Sequence, residues 1–64
     1  MNIELTVLEE DNNIPLILYY KEAHGAISGY ESYINEDSIK DIIIRVKNEV
    51  ISIDDLKIFN LLHN

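Results

Sequence analysis

Apolar and polar residues alternate at the start of the chain. Ile3, Leu5 and Val7 are separated by polar residues, and this period of two predicts a β-strand with one buried side and one side in water. Acids and amides occupy positions 9–13 and predict a turn directly after the strand.

The second predicted strand, Leu16 to Tyr20, is apolar on both of its faces. Pro15 precedes it, where a missing backbone N–H is tolerated because the first residue of a strand need not donate to the sheet. A strand with two apolar faces must be covered on both. In a chain of 64 residues the second cover is expected from a C-terminal helix or a second subunit, and we expect a homodimer.

The segment from Ala26 to Ile34 is compatible with two structures. As a strand it alternates poorly, whereas as a helix it begins with a capping box formed by Ser28 and Glu31. One helix face would then be apolar, formed by Tyr30, Tyr33 and Ile34. The pattern favours a short helix near residues 28–35 after a turn at residues 22–25, and the alternative is a hairpin at Gly25.

The C-terminal half predicts another strand and a second helix. Residues 39–46 are rich in β-branched side chains and predict a strand. Lys47 and Asn48 can turn the chain into a short strand over residues 50–53. Ser52, with Asp55 three residues later, predicts the start of a terminal helix whose apolar face includes Ile53, Leu56 and Phe59.

Together these elements predict one domain over residues 1–64, of the α+β class. It combines an antiparallel sheet of three or four strands with a short helix after the second strand and a C-terminal helix. The chain has no cysteine, so neither disulfides nor thiolate-bound zinc support its thin core. No apolar run approaches the roughly 20 residues of a membrane span, and residues 1–8 do not resemble a signal peptide, so we expect a cytoplasmic protein.

Charge narrows the choice of partners. Twelve acids oppose five bases, which gives a formal net charge of −7. Such a surface repels phosphate backbones, which argues against direct nucleic-acid binding, and it attracts a basic protein surface. The simpler interpretation is that acidity keeps a small protein in solution.

The sequence contains no recognisable catalytic, metal or cofactor motif. His24 and His63 lie outside any metal-ligand motif, and the serines lie outside any nucleophile elbow. Gly25 and Gly29 do not form a glycine-rich phosphate loop, and residues 9–13 lack the glycine and final glutamate of an EF-hand loop. We therefore expect a binding protein, with no catalytic residues, metal or cofactor.

Tyrosine is the more informative residue type, because four tyrosines supply most of the aromatic content. Tyrosine is enriched at protein interfaces, since its ring is apolar and its hydroxyl stays hydrated. Tyr30 is followed by Glu31, an aromatic anchor beside a carboxylate of the kind that a basic cleft binds. For either Tyr19 or Tyr20 we expect a core position instead.

Several short motifs occur in order along residues 5–46. They are Leu5-Thr6-Val7-Leu8 followed by acids, Tyr19-Tyr20, Gly25, Ser28-Gly29-Tyr30-Glu31 and Ile42 to Val46. In this order they resemble the short dimeric uracil-DNA glycosylase inhibitor of small Bacillus phages. Residues 15–21 with Gly29-Tyr30 resemble the staphylococcal inhibitor, a likeness that would make residues 26–33 a strand. The tail beyond Val50 has no counterpart in the short type.

The resemblance implies inhibition by DNA mimicry in a bacterial host cell. Uracil-DNA glycosylase binds DNA in a basic groove and pushes an apolar side chain into the duplex to extrude uracil. The inhibitor presents carboxylates in place of phosphates and a pocket for that side chain. The implied partner-binding residues are an aromatic–glutamate pair, two pocket residues and two rim acids: Tyr30 and Glu31, Tyr33 and Ile34, and Glu36 and Asp37. The short type has phenylalanine in place of Tyr30.

Two other functions are compatible with the same residues. The alternative to the inhibitor is a small acidic regulatory module, of the phage anti-defence type, that binds a different basic protein. A structural subunit of a larger assembly is the third option.

Overall fold

The computed structural model describes residues 2–63, which form a four-stranded antiparallel sheet and two helices. The elements are β1 (Ile3–Glu9), β2 (Asn12–Tyr20), α1 (Ala23–Ile34), β3 (Ile39–Val46), β4 (Glu49–Ile51) and α2 (Ile53–Leu62). The strand order across the sheet is β2-β1-β3-β4, and every neighbouring pair is antiparallel. The predicted α+β architecture, with one helix after β2 and one at the C-terminal end, is confirmed.

The core lies between the two helices and one face of the sheet. Five apolar side chains of the central strands are buried: Ile3, Leu5, Val7, Ile42 and Ile44. They share one face because side chains alternate along a strand and because Leu5 pairs with Ile44 in the register. The helices complete the same cluster with Ala23, Ala26 and Leu56. Both helices therefore cover the same side of the sheet.

The turn between β3 and β4 forms where the sequence predicts it. Lys47 has a φ of 52° and Asn48 a φ of 66°, so two successive residues adopt the left-handed conformation. Positive φ at both central positions is the property of the tight hairpin turn whose twist matches that of its strands. The short strand that follows, β4, begins and ends slightly earlier than the predicted range of 50–53.

Helix α1 begins five residues before the predicted cap at Ser28, because its first residue is Ala23. Within residues 2–63 the N-cap residue Glu22 makes no side-chain cap hydrogen bond, and Ser28 lies inside the helix. The capping box, the turn at residues 22–25, the hairpin at Gly25 and the strand over residues 26–33 are all wrong. Burial of Ala23 and Ala26 against the sheet outweighs the local turn signals.

Gly25 and Gly29 lie one turn apart on α1, next to the ring of Tyr20. A Cβ atom at Gly29 would lie 2.7 Å from Cζ of Tyr20, whereas one at Gly25 would lie 3.4 Å from Cδ2 of the same ring. The ring therefore packs directly on the helix backbone at Gly29. Gly25, which the sequence predicts in a turn, and Gly29 together allow a close approach between α1 and β2.

Helix α2 begins at the residues that the sequence predicts. The Oγ atom of Ser52 accepts a hydrogen bond from the backbone N–H of Asp55 at 3.0 Å. Asp54 and Asp55 lie in the first turn, where negative charge interacts favourably with the helix dipole.

The two serines test the observed helix starts. Ser52→Ala removes the cap of α2 and should lower the free energy of unfolding by about 1 kcal/mol. Ser28→Ala replaces an exposed residue inside α1 by a better helix former, so stability should stay the same or rise slightly. Urea unfolding followed by circular dichroism measures both. A loss of about 1 kcal/mol in Ser28→Ala would show that Ser28 caps a helix after all.

The two glycines test the contact with Tyr20. Gly29→Ala forces the tyrosine ring to move and should cost about 1–3 kcal/mol, which exceeds the gain from helix propensity. Gly25→Ala has room for the methyl group and should stabilise the protein by about 0.5–1 kcal/mol. Thermal unfolding of both variants measures the difference. Equal stabilisation by the two substitutions would contradict the packing of Tyr20 on α1.

Candidate functional site

The two tyrosines of the predicted site belong mainly to the core side of α1. Tyr30 and Tyr33 are half-buried and pack against the core cluster. Their spacing from the buried Ala23 and Ala26 puts them on the same side of the helix. Each ring therefore helps to hold α1 on the sheet and offers only part of its surface to a partner.

Glu31 is exposed and lies on the side of α1 that faces α2. Its Oε2 atom is 3.9 Å from Nζ of Lys57, and both side chains are at least half exposed. The backbone carbonyl of Glu31 accepts a hydrogen bond from the side-chain amide of Asn35 at 3.1 Å. The nearby lysine partly neutralises the carboxylate that the sequence places at the centre of the site.

The remaining three predicted residues lie at the C-terminal end of α1. Ile34 is the last helical residue and is 37% exposed. Glu36 and Asp37 follow in a tight loop, in which the N–H of Glu36 donates to the carbonyl of Tyr33 and the N–H of Ile39 donates to the carbonyl of Glu36. Both acids are exposed.

This loop lies beside the turn that joins β1 to β2. The backbone N–H of Glu10 donates a hydrogen bond to the carbonyl of Ser38 at 2.9 Å, and Leu8 pairs with Asp41 at the start of β3. The two segments bring six acids to the same end of the molecule, which we call the acidic end: Glu9, Glu10, Asp11, Glu36, Asp37 and Asp41.

Most of the net charge is concentrated at the acidic end. Residues 9–11 and 36–41 contain these six acids and one base, Lys40, which gives a net charge of −5. The rest of the chain contains six acids and four bases, a net charge of −2. The last turn of α1 has no basic residue, so the negative end of its helix dipole adds to the same field.

Only two of these six acids, Glu36 and Asp37, belong to the site that the sequence predicts, where they form its rim. Residues 9–13 are predicted as a separate turn. The signal that joins the two segments is the antiparallel pairing of β1 with β3, which no local pattern contains.

The two histidines line a groove at the opposite end of the helices. The groove has a volume of about 310 Å³ and lies between the start of α1 and the end of α2. His24 Nε2 is 3.2 Å from Glu22 Oε2, and the ring of His63 lies 4.3 Å from that of Phe59. Among residues 2–63 no three histidine, aspartate or glutamate side chains are grouped so that they could hold a metal ion.

Comparisons with known proteins give no relative. No protein-family model matches the chain, and neither a curated protein nor a solved structure matches it. Of the two helices in the described part of the chain, neither is long and apolar enough to cross a membrane. The interpretation of the site therefore rests on the residues and on their geometry.

The exposed position of Glu31 gives a prediction about stability. Glu31→Gln removes a long, solvent-exposed ion pair and no helix cap, so the free energy of unfolding should change by less than about 0.5 kcal/mol. Urea unfolding measures this change, and Lys57→Gln is the matched control because it removes the other partner. A loss of about 1 kcal/mol confined to Glu31→Gln would mean that the carboxylate stabilises the fold in a second way.

Proposed function

We propose that the protein inhibits uracil-DNA glycosylase by inserting its acidic end into the enzyme's basic DNA-binding groove. The concentration of a net charge of −5 at one end of a small domain is the observation that carries this proposal. A groove that binds DNA attracts such a surface and accelerates its association. The resemblance of residues 5–46 to the phage inhibitors supplies the identity of the target.

The acidic end also contains residues that are unfavourable for helix stability, at the C-terminal end of α1. Cations stabilise the C-terminal end of a helix, but α1 is followed by Glu36 and Asp37. Like charges that repel one another at this end lower the stability of the fold. Such departures from local preference are typical of binding sites, where a partner supplies the compensating charge.

The two backbone segments that carry these acids are also held relative to one another. The hydrogen bond from Glu10 to Ser38 ties the β1–β2 turn to the loop after α1. Because the two acidic segments are joined before binding, less conformational entropy is lost when a partner is bound. Ile34 lies next to this loop with 37% of its surface exposed and is suited to contact the apolar side chain that the glycosylase inserts into DNA.

The six residues of the proposed site have unequal roles in this arrangement. Ile34, Glu36 and Asp37 contact the enzyme at the acidic end. Tyr30 and Tyr33 mainly position α1, with the exposed parts of their rings beside the contact. Glu31 approaches the enzyme from the side of α2 and exchanges its weak pairing with Lys57 for a cation of the groove.

Titration into a uracil-excision assay tests the target. Excision from single-stranded and double-stranded DNA should fall linearly with added protein and end at a fixed molar ratio, as expected for tight stoichiometric binding. Unchanged excision at a large molar excess would exclude this enzyme. A basic protein captured by the acidic end in its place would favour the alternative, a regulatory module with a different target.

Two variants that lose the same number of charges distinguish binding through the acidic end from a general effect of net charge. The first is Glu10→Gln, Glu36→Gln and Asp37→Asn, and the second is Glu22→Gln, Glu49→Gln and Asp54→Asn. Both lose three negative charges, but only the first should weaken binding by at least about 100-fold, which corresponds to about 2.7 kcal/mol. The control should mainly slow association at low salt, by a few-fold. Equal losses in surface-plasmon measurements would mean that net charge alone matters.

A further inference from the structure

Strand β4 leaves its outer edge free for another strand. It is the last strand on its side of the sheet, and among residues 2–63 no further strand lies beyond it. The two-residue turn at Lys47 and Asn48 is closed by the pair Val46 and Glu49, and in such a hairpin the closing pair is hydrogen-bonded. Hydrogen-bonded and non-hydrogen-bonded pairs alternate along antiparallel strands. The backbone N–H and C=O of Val50 therefore point away from β3, towards the free edge.

A groove lies next to this edge, on the side of the sheet that carries the helices. Helix α2 packs chiefly against α1 and leaves a space of about 300 Å³ between itself and β4. Ile51 pairs with the buried Ile44 and therefore points to the helix side, as Glu49 does two residues earlier. The groove is lined by three half-buried apolar residues and three exposed charged residues: Val46, Ile51 and Phe59, and Lys47, Glu49 and Asp55.

The groove combines apolar surface with unpaired carboxylates. A space of this volume accepts an aromatic or large aliphatic side chain, whose burial against apolar residues is favourable. Glu49 and Asp55 form no ion pair with any other residue in the range 2–63. Lys47 adds one positive charge, which leaves a net charge of −1 on the lining. A ligand that places a cation beside the apolar group is therefore complementary to the groove.

We propose that β4 and this groove bind an extended segment of a partner protein as a fifth strand of the sheet. The backbone of the segment pairs with Val50, an aromatic or large aliphatic side chain fills the groove, and a lysine or arginine two residues away lies beside Glu49 or Asp55. The spacing of two residues follows because both side chains must point to the helix side. In this mode of recognition, backbone hydrogen bonds provide affinity and pockets for alternate side chains provide specificity.

The groove and the acidic end are separate surfaces. Val46, which lines the groove, pairs with Ile3 at the start of β1, whereas Ile39, next to the acidic loop, pairs with Glu9 at the end of β1. Apart from Val46, the residues of the groove come after the segment 5–46 that resembles the phage inhibitors. The proposed binding of an extended segment is therefore independent of the proposed inhibition.

The short edge limits the affinity. Strand β4 has three residues, and Val50 between the two hydrogen-bonded pairs offers its N–H and C=O to an added strand. Two backbone hydrogen bonds and one anchored side chain must offset the entropy lost when a flexible segment is ordered. We therefore expect a dissociation constant of about 10–100 μM for a short peptide.

Fluorescence polarisation with three labelled peptides of the same composition tests the spacing. Each peptide is a threonine-rich extended sequence with one phenylalanine and one lysine. The lysine stands two positions after the phenylalanine in the first peptide, two positions before it in the second and next to it in the third. At least one of the first two should bind, and the third should bind at least fivefold more weakly, because its two side chains point to opposite faces of a strand. Equal binding of all three would overturn the proposal, since it would show only the attraction of a cationic peptide to an acidic protein.

Val50→Pro tests the backbone contact with the tighter of the first two peptides. Proline removes the N–H that faces the free edge and leaves the pairing with β3 intact, which is where an edge strand tolerates it. Binding should weaken at least fivefold. Val50→Thr is the matched control, because it keeps the N–H and a β-branched side chain, and its affinity should stay within twofold. Circular dichroism checks that both variants fold, and undiminished binding by folded Val50→Pro would exclude strand addition.

Glu49→Lys tests the cation and does not depend on the proline variant. Glu49 is exposed, so the substitution leaves the core unchanged. Binding of the lysine peptide should weaken at least fivefold, and a peptide with glutamate in place of the lysine should bind more tightly than it does to the original protein. Glu10→Lys changes the net charge equally at the acidic end and should alter either affinity less than twofold at about 0.15 M salt. Equal effects of the two variants would contradict the assignment of the groove.

Sedimentation velocity of the protein without peptide distinguishes a partner segment from a second copy of the chain. The state of association should be the same in Val50→Pro and Val50→Thr, because the edge is reserved for a different protein. A dimer that dissociates in Val50→Pro and persists in Val50→Thr would assign the edge of β4 to a second copy and would overturn the proposal.

Discussion

The pairing of β1 with β3 is the constraint on which the rest of the structure depends. Its register places Leu5 opposite Ile44 and Val7 opposite Ile42, so the apolar residues of both strands point to the same side. A register slip by one residue would move the apolar side chains of one strand from the buried face to the solvent-exposed face. The same register brings the β1–β2 turn next to the loop after α1. The pairing of β1 with β3 therefore determines both the hydrophobic core and the concentration of acids at one end of the molecule.

A thin core explains why both helices lie on one side of the sheet. Eight apolar residues form the buried cluster, and a single layer of helices is enough to cover them. Helix α1 approaches the sheet closely because Ala23, Ala26 and the glycines present little side-chain volume. The aromatic rings of Tyr20, Tyr30 and Tyr33 then fill the margins of this contact. Tyrosines, which are common at protein interfaces, are thereby used here for packing between the helix and the sheet.

Net charge and charge distribution carry different information in this protein. A net charge of −7 is a property of composition and is compatible with many functions. A charge of −5 at one end is a property of the fold, since the acids come from segments about 25 residues apart in the chain. Concentrating like charges next to a helix C-terminus is unfavourable for the isolated domain. A basic partner removes this cost, whereas solubility alone does not require the acids to be at one end.

The sequence by itself determined the elements that depend on local periodicity and on caps. The alternation of Ile3, Leu5 and Val7 and the serine before α2 specify their structures with neighbouring residues alone, and the structure agrees with both. Among the predicted site residues, Ile34, Glu36 and Asp37 could be placed from the local pattern, because it predicts the end of a helix near them and they lie at that end or just after it.

Only the tertiary structure decided the start of α1, the burial of Tyr30 and Tyr33 and the composition of the acidic end. Each depends on contacts between residues far apart in sequence. The close approach of Tyr20 makes Gly25 and Gly29 packing positions, although the local pattern around Gly25 predicts a turn. The pairing of β1 with β3 brings Glu10 to Ser38. The physical reason is that a local pattern shows which face of a helix or strand is apolar. Which element packs against that face depends on the free energy of the whole fold.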